Sequence, residues 1–507
     1  MTRSTRSLTA DVVICGGGSS GAALAGVLAR DTDAEVLLLE AGPDYGALDN
    51  GQWPADLLDA RRIPTTHGWG YSGPAHRSHP EPTAFDRASV IGGCSAHNGC
   101  VALLGHRRDY DRWAELGNLG WAWDDVAPAF ARATASLGVR TPPDDELTPF
   151  HAAFLHAAVS IGIPRSTDMN DPDELAGVDA CPVNIVDGTR WNTALAYLDP
   201  VRDHPNLTVI GAALVDRVEI DGDHAVAVHA LIAGKAVRIE ASTIVLAAGA
   251  YGSPAILLRS GVGPAQELQR LGRHPVHDLP GVGGSLADHP AVGIIYRGTE
   301  RLHEQMATFG ARHWSPDEQT LAKARSSRCQ EAFDLHIYAV AGWRRSNAYD
   351  HFGVAAAVMD PLSTGRLTLA SLDPTVAPRI DHNYLSDPDG HDVAVLHDGL
   401  DMTREIMASV VADGLVEEVH PGTGVESTDA MRAFIARTVG IYYHPACTCR
   451  MGPAADTGAV VDASGRVHGI RNLHVCDASI FPTLMRANTN LPAVMLAEHL
   501  ALPIVAS

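Results

Sequence analysis

Asp11-Val-Val-Ile-Cys15-Gly16-Gly-Gly18-Ser-Ser20-Gly21-Ala22-Ala-Leu-Ala-Gly-Val-Leu-Ala-Arg30 is the stretch on which the fold turns. Asp11 to Cys15 is a short apolar run without alternation and reads as a strand buried on both faces. Gly16 to Gly21 reads as a tight turn, and Ala22 to Arg30 as a helix. Glu35-Val-Leu-Leu-Leu39 supplies a second, parallel strand. In Gly16-x-Gly18-x-x-Gly21 the first glycine permits the turn, the second lets a pyrophosphate reach the backbone, and the third lets helix and strand pack closely. Ser20 lies in the same turn, where the exposed N–H groups of a helix start receive phosphate. Glu40 stands nineteen residues past Gly21, at the end of the second strand. A carboxylate there accepts hydrogen bonds from ribose hydroxyls and repels a 2′-phosphate, which disfavours NADP. The motif alone fits FAD or NAD.

The rest of the 507 residues is consistent with a multi-domain enzyme, because a 46% hydrophobic fraction supplies a substantial core. Sixty acidic against 38 basic residues leave a net charge of −22, which repels phosphate backbones and excludes nucleic acid as a natural partner. The eight cysteines, at 15, 94, 100, 181, 329, 447, 449 and 476, lack the density and spacing of a disulfide scaffold. They fit a reduced, cytoplasmic setting. The start MTRSTRSLTADVVI has no apolar stretch followed by a cleavage site, so no signal peptide is expected. Val12 to Ala29 is uncharged, but its glycines and serines break it into strand, turn and helix, and no membrane span is expected.

Further along, Pro43 to His79 reads as a covering loop carrying Trp53, Trp69 and Tyr71. A helical region follows Asp109. Leu207–Ile210 and Ala225–Ile232 read as antiparallel strands, and Thr243–Ala248 as a buried one. From about Glu331 to Asp381, alternating and short apolar runs predict a second domain on a mostly antiparallel sheet. Leu473–Cys476 then reads as a strand ending at Asp477, and Pro492–Leu500 as an apolar helix.

Three further blocks are specific. Ala88-Ser-Val-Ile-Gly92-Gly93-Cys94-Ser95-Ala96-His97-Asn98-Gly99-Cys100-Val101 resembles the first signature of the glucose-methanol-choline (GMC) oxidoreductases. Gly249-Ala-Tyr-Gly-Ser253-Pro254-Ala-Ile-Leu-Leu-Arg-Ser260-Gly261-Val-Gly263 resembles the second. Tyr443-His444-Pro445, Met451-Gly452, Asp477-Ala-Ser-Ile-Phe-Pro482 and Asn488-Thr-Asn490 follow in the family order. The chain is similar above all to choline oxidases and related bacterial alcohol oxidases, through Cys94-Ser-Ala-His97-Asn98 and on through Asp109, Asp111 and Trp113.

The resemblance implies an α/β chain with a Rossmann-type FAD-binding domain and a substrate domain built on a mostly antiparallel sheet. It implies a discontinuous FAD domain of residues 1–155, 186–291 and 442–507, with 156–185 and 292–441 forming the substrate domain. It implies FAD joined covalently through His97, a link that retains the cofactor and raises its reduction potential. Further cofactor contacts carry over to Ala41, Gly93, Ala96, Asn98, Gly99, Val101, Val215, Asp477 and Ala478. A homodimer is the assembly common among such relatives.

The resemblance also implies the chemistry. His444 occupies the family's active-site histidine position, and an imidazole that is neutral near pH 7 suits removal of a hydroxyl proton. Asn488 stands where other members carry a second histidine; it would orient the hydroxyl and stabilise a developing alkoxide. The expected reaction is oxidation of an alcohol to a carbonyl, with oxygen or another acceptor taking the electrons. No metal is expected: His444, Cys447 and Cys449 lie close in sequence but lack paired knuckles.

Choline oxidases and dehydrogenases carry a glutamate two residues after an Asp-His pair, where this chain reads Ala287-Asp288-His289-Pro290-Ala291. With Ala291 uncharged, a polyol, sugar, glycoside or small primary alcohol is expected ahead of choline. A choline-like amino alcohol or a redox-neutral lyase reaction on the same fold is the alternative. His336, Arg344 and Arg345 are candidate substrate-lining groups, and Tyr442 a bulky neighbour that disfavours oxygen access.

Overall fold

The computed structural model describes residues 8–78, 81–342 and 351–506. Its first sheet has seven strands. Leu207–Ile210, Val36–Leu39, Leu8–Cys15, Lys235–Leu246, His224–Ile232 and Ala213–Asp221 lie in that order, and Leu473–Val475 also pairs with Lys235–Leu246. Val12, Val13, Ile14 and Cys15 are buried on both faces, as a central parallel strand requires. The helix after the turn runs Ser19–Asp31 and begins at the first serine of the glycine motif, earlier than the apolar run suggests.

One sequence expectation is corrected here. Leu207–Ile210 is not antiparallel: it pairs in parallel with Val36–Leu39, Val36 opposite Leu207, and extends the parallel half of the sheet. His224–Ile232 is antiparallel to both neighbours, as expected. Lys235–Leu246 joins the two regimes. Its first half pairs antiparallel with His224–Ile232, and its second half runs parallel to Leu8–Cys15 with Cys15 opposite Leu246.

The second sheet also has seven strands: Val416–His420, Pro290–Gly298, His351–Val358, Leu335–Ala341, Glu318–Ala324 and Gly177–Ala180 in order, with Gly440–Ile441 beside Pro290–Gly298. Every pairing in it is antiparallel. The helix His391–Ala412 packs on this sheet. Phe150, Phe154, Phe352, Leu396 and Leu400 belong to the core between them, which is separate from the larger core around the first sheet. The small residues Ala291, Gly293 and Ala355, with Tyr338 and Val340, line a cavity. No helix among the described residues is long and apolar enough to cross a membrane.

Candidate active site

A cavity of about 1030 Å³ runs from the glycine turn to the second sheet. Gly16, Gly18, Ser20, Glu40, Ala41, Gly93, His97, Asn98, Gly99, Val101, Val215, Asp477, Ala478, His444 and Asn488 all line it. Gly21 and Ala96 do not. A methyl group at Gly21 would overlap the Gly16 carbonyl, so this glycine serves the helix–turn contact, and Ala96 is fully buried behind the lining.

At the turn end the backbone is left bare. Gly16 has φ +114°, in the region that favours glycine, and a methyl at Gly93 (φ +52°) would strike the Gly18 Cα. Glu40 is fixed by two N–H donors, Gly17 to Oε2 and Gly42 to Oε1, each at 2.8 Å. Burial pushes its carboxyl up to about 7 against these bonds. Asp477 accepts from the Gly249 N–H at 2.9 Å and from the Ser253 hydroxyl at 2.5 Å. Ser19 donates to Asn490 Oδ1 at 2.8 Å, while the buried Asn490 Nδ2 has no partner among the described residues. A carboxylate at ribose distance, bare glycine backbone at a helix start and an unmet amide donor on one wall fit a dinucleotide.

At the far end, Asn488 Nδ2 lies 3.2 Å from His444 Nε2. An amide nitrogen only donates, so Nε2 accepts and the ring proton of His444 sits on Nδ1. From there it is donated to Nδ1 of His289, 2.8 Å away. The loop is tied down from below: the His444 N–H donates to Asp288 Oδ1 at 2.9 Å, and Tyr384 donates its hydroxyl to Asp288 Oδ2 at 2.9 Å. Burial, then the nearby His289, Arg87 and His336, hold His444 well below the ordinary histidine range, so it is a neutral base. Burial takes His289 down to about 3.

His97 also lines the cavity, its Nε2 2.7 Å from the Thr66 carbonyl. Trp69 and Tyr71 stack at 5.7 Å on the cavity wall, whereas Trp53 is buried and donates to the Gly46 carbonyl. His336 does not reach the cavity; it is buried against Phe333 and Tyr442. Arg344 and Arg345 lie outside the described residues. Tyr442 lines the cavity beside His444, ring centroids 4.8 Å apart. Cys447 and Cys449 are buried thiols, and no cluster of three metal-binding side chains occurs among the described residues.

Sequence reasoning passed over several site residues. The pair Asp288-His289 marks the chain position of Ala291, yet both members hold His444. Glu318 and Tyr338 line the cavity from the second sheet, and nothing in their local sequence marks them.

Two models of the GMC oxidoreductase family match the chain, one over residues 10–291 and one over residues 361–497. The chain is 34% identical to the oxygen-dependent choline dehydrogenase of Pseudomonas savastanoi pv. phaseolicola (strain 1448A / Race 6), covering 97% of this chain and 92% of that one. It is 35% identical to the same-named protein of Serratia proteamaculans (strain 568), covering 97% and 95%. Among solved structures it resembles pyridoxine 4-oxidase from Mesorbium loti, with TM-score 0.86, 29% identity and 97% and 98% coverage. Formate oxidase from Aspergillus oryzae RIB40 shares the fold, with TM-score 0.87 and 22% identity over 99% of both chains. From the glycine turn to the histidine–asparagine pair, the chain is a member of the GMC oxidoreductase family.

Proposed function

We propose that this oxidoreductase oxidises an alcohol to a carbonyl with bound FAD, with His444 as the base. The observation that carries the reading is His444 Nε2, kept unprotonated beside Asn488 Nδ2 at 3.2 Å, in the cavity that also holds the dinucleotide-type turn. FAD, which Gly16, Gly18, Glu40 and Asp477 would hold, would supply the hydride acceptor for the alcohol carbon and the route for its electrons to oxygen or another acceptor. His444 takes the hydroxyl proton at Nε2. The Asn488 amide, within reach of the same atom, steadies the oxygen as it gains negative charge. Residues of 1–155, 186–291 and 442–507 hold the cofactor, and 156–185 with 292–441 supply the substrate wall.

The relatives move the substrate away from the sugar and polyol expectation toward the amino-alcohol alternative. Choline dehydrogenases and pyridoxine 4-oxidase are both named for alcohols that carry a nitrogen centre. Purified His444→Ala is expected to keep its flavin and to be reduced anaerobically by substrate at least about a hundredfold more slowly than wild type, the low end for loss of a general base. Near-normal reduction rejects the assignment. Covalent attachment through His97 predicts that acid-precipitated protein retains its flavin; full release into the supernatant rejects it.

A further inference from the structure

The second sheet brings one carboxylate into the cavity. Glu318 opens the strand Glu318–Ala324, opposite Val340 of Leu335–Ala341. Tyr338, two residues along that neighbouring strand, donates its hydroxyl to Glu318 Oε2. The carboxylate lies against Gly99, so closely that a methyl group there would overlap it. Glycine at 99 is therefore what lets the carboxylate reach the wall opposite the sheet. Gly99, Glu318, Tyr338, His444 and Asn488 line the same cavity.

Two ring contacts span the interval from this carboxylate to the base. Tyr338 meets Tyr442 with centroids 5.9 Å apart, and Tyr442 meets His444 at 4.8 Å. No Lys or Arg forms an ion pair with Glu318 among the described residues. Arg190, the nearby guanidinium, donates instead to the carbonyls of Leu57, Asp59, Arg62 and Asn98. This partly buried carboxylate has one hydroxyl donor and feels the Arg190 charge without a direct bond to it, so a cation entering the cavity would add the direct partner it lacks. The surroundings suit an organic cation. Tyr338 and Tyr442 present aromatic rings, and Gly293 and Ala355, in one row with Tyr338, leave space for bulk.

We propose that Glu318 selects the substrate, its carboxylate holding the cationic nitrogen of an amino or quaternary-ammonium alcohol whose hydroxyl lies at His444. The proposal rests on the oxidation reading above and adds the residue that would recognise the substrate's nitrogen. It places the charge on a strand remote from Ala291, where the sequence lacks it.

The test uses FAD-loaded enzyme and alcohols matched in shape: choline against 3,3-dimethylbutan-1-ol, and ethanolamine against propan-1-ol. Anaerobic flavin bleaching is followed, and tetramethylammonium is titrated calorimetrically into the same protein. Wild type is expected to favour the cationic member of a pair by at least about tenfold, the lower range for a charge-assisted contact. Glu318→Gln should bring that ratio toward one and remove tetramethylammonium binding. Glu318→Asp, which keeps the charge, should retain part of both, and this separates loss of charge from loss of fold. A wild-type preference for the neutral alcohols, or a ratio unchanged in Glu318→Gln, overturns the proposal while leaving the oxidation reading intact. If no alcohol bleaches the flavin, the oxidation reading fails and tetramethylammonium decides: binding lost in Glu318→Gln upholds the cation site, and no binding in wild type overturns it.

Discussion

At His444 the direction of one hydrogen bond decides what the imidazole can do. The Asn488 amide donates to Nε2, the ring proton sits on Nδ1, and His289 accepts a hydrogen bond from it. His289 is thus a positioning residue that acts through His444. In His289→Ala the tautomer loses its anchor, water enters, and one source of the depressed His444 basicity disappears. Flavin reduction should slow by about tenfold, a part of the 10²–10⁴ that a general base supplies. The acid limb of its pH profile should also move up toward about 6.5, the ordinary histidine value. Stopped-flow reduction across pH 5 to 9 checks both, and a lower rate with an unmoved limb leaves His289 a merely structural role. His444 and Asn488 are legible in the sequence because each lies in a recognisable block. His289 and Glu318 are not, because their importance comes from what the fold places opposite them: a second imidazole in one case, a bare glycine in the other.

Among elements, the strand–turn–helix of Leu8 to Asp31 is the most fully legible, because its constraints are local. Gly21 has no room for a side chain against the Gly16 carbonyl, and that requirement is written in the spacing itself. Leu207–Ile210 is the opposite case. Three apolar residues and a threonine disclose a strand but not a direction, which depends on the edge of the sheet where the strand docks. Lys235–Leu246 illustrates the same limit. Only its last part reads as buried, because its first half is the partner of a half-exposed hairpin and carries Lys235, Arg238 and Glu240. The alternation from Glu331 to Asp381 reveals an antiparallel sheet, yet not that its small residues line the site.

Across the whole molecule, Arg486 ties distant parts of the chain together. Its buried guanidinium pairs with Asp109, donates to the Phe333 carbonyl at 2.7 Å and meets Asp360 at 2.9 Å. Arg486→Met would leave the Asp109 carboxylate buried without its partner, and a loss of about 3–5 kcal/mol is expected. Asp360→Asn, which neutralises a carboxylate that is 35% exposed, should lose no more than about 1 kcal/mol. Urea midpoints of the two flavin-loaded variants make the comparison, and equal losses would show that Arg486 contributes little beyond surface charge.

The pairing of Leu473–Val475 with Lys235–Leu246 has a consequence for biosynthesis. The ribosome makes the glycine turn well before the residues His444 and Asn488 and the strand leading to Asp477. A nascent chain can form the glycine turn early and still lack the far wall of its own cavity. Cofactor capture is therefore expected to wait until His444, Asp477 and Asn488 have been made, so that flavin meets a chain that already carries both walls.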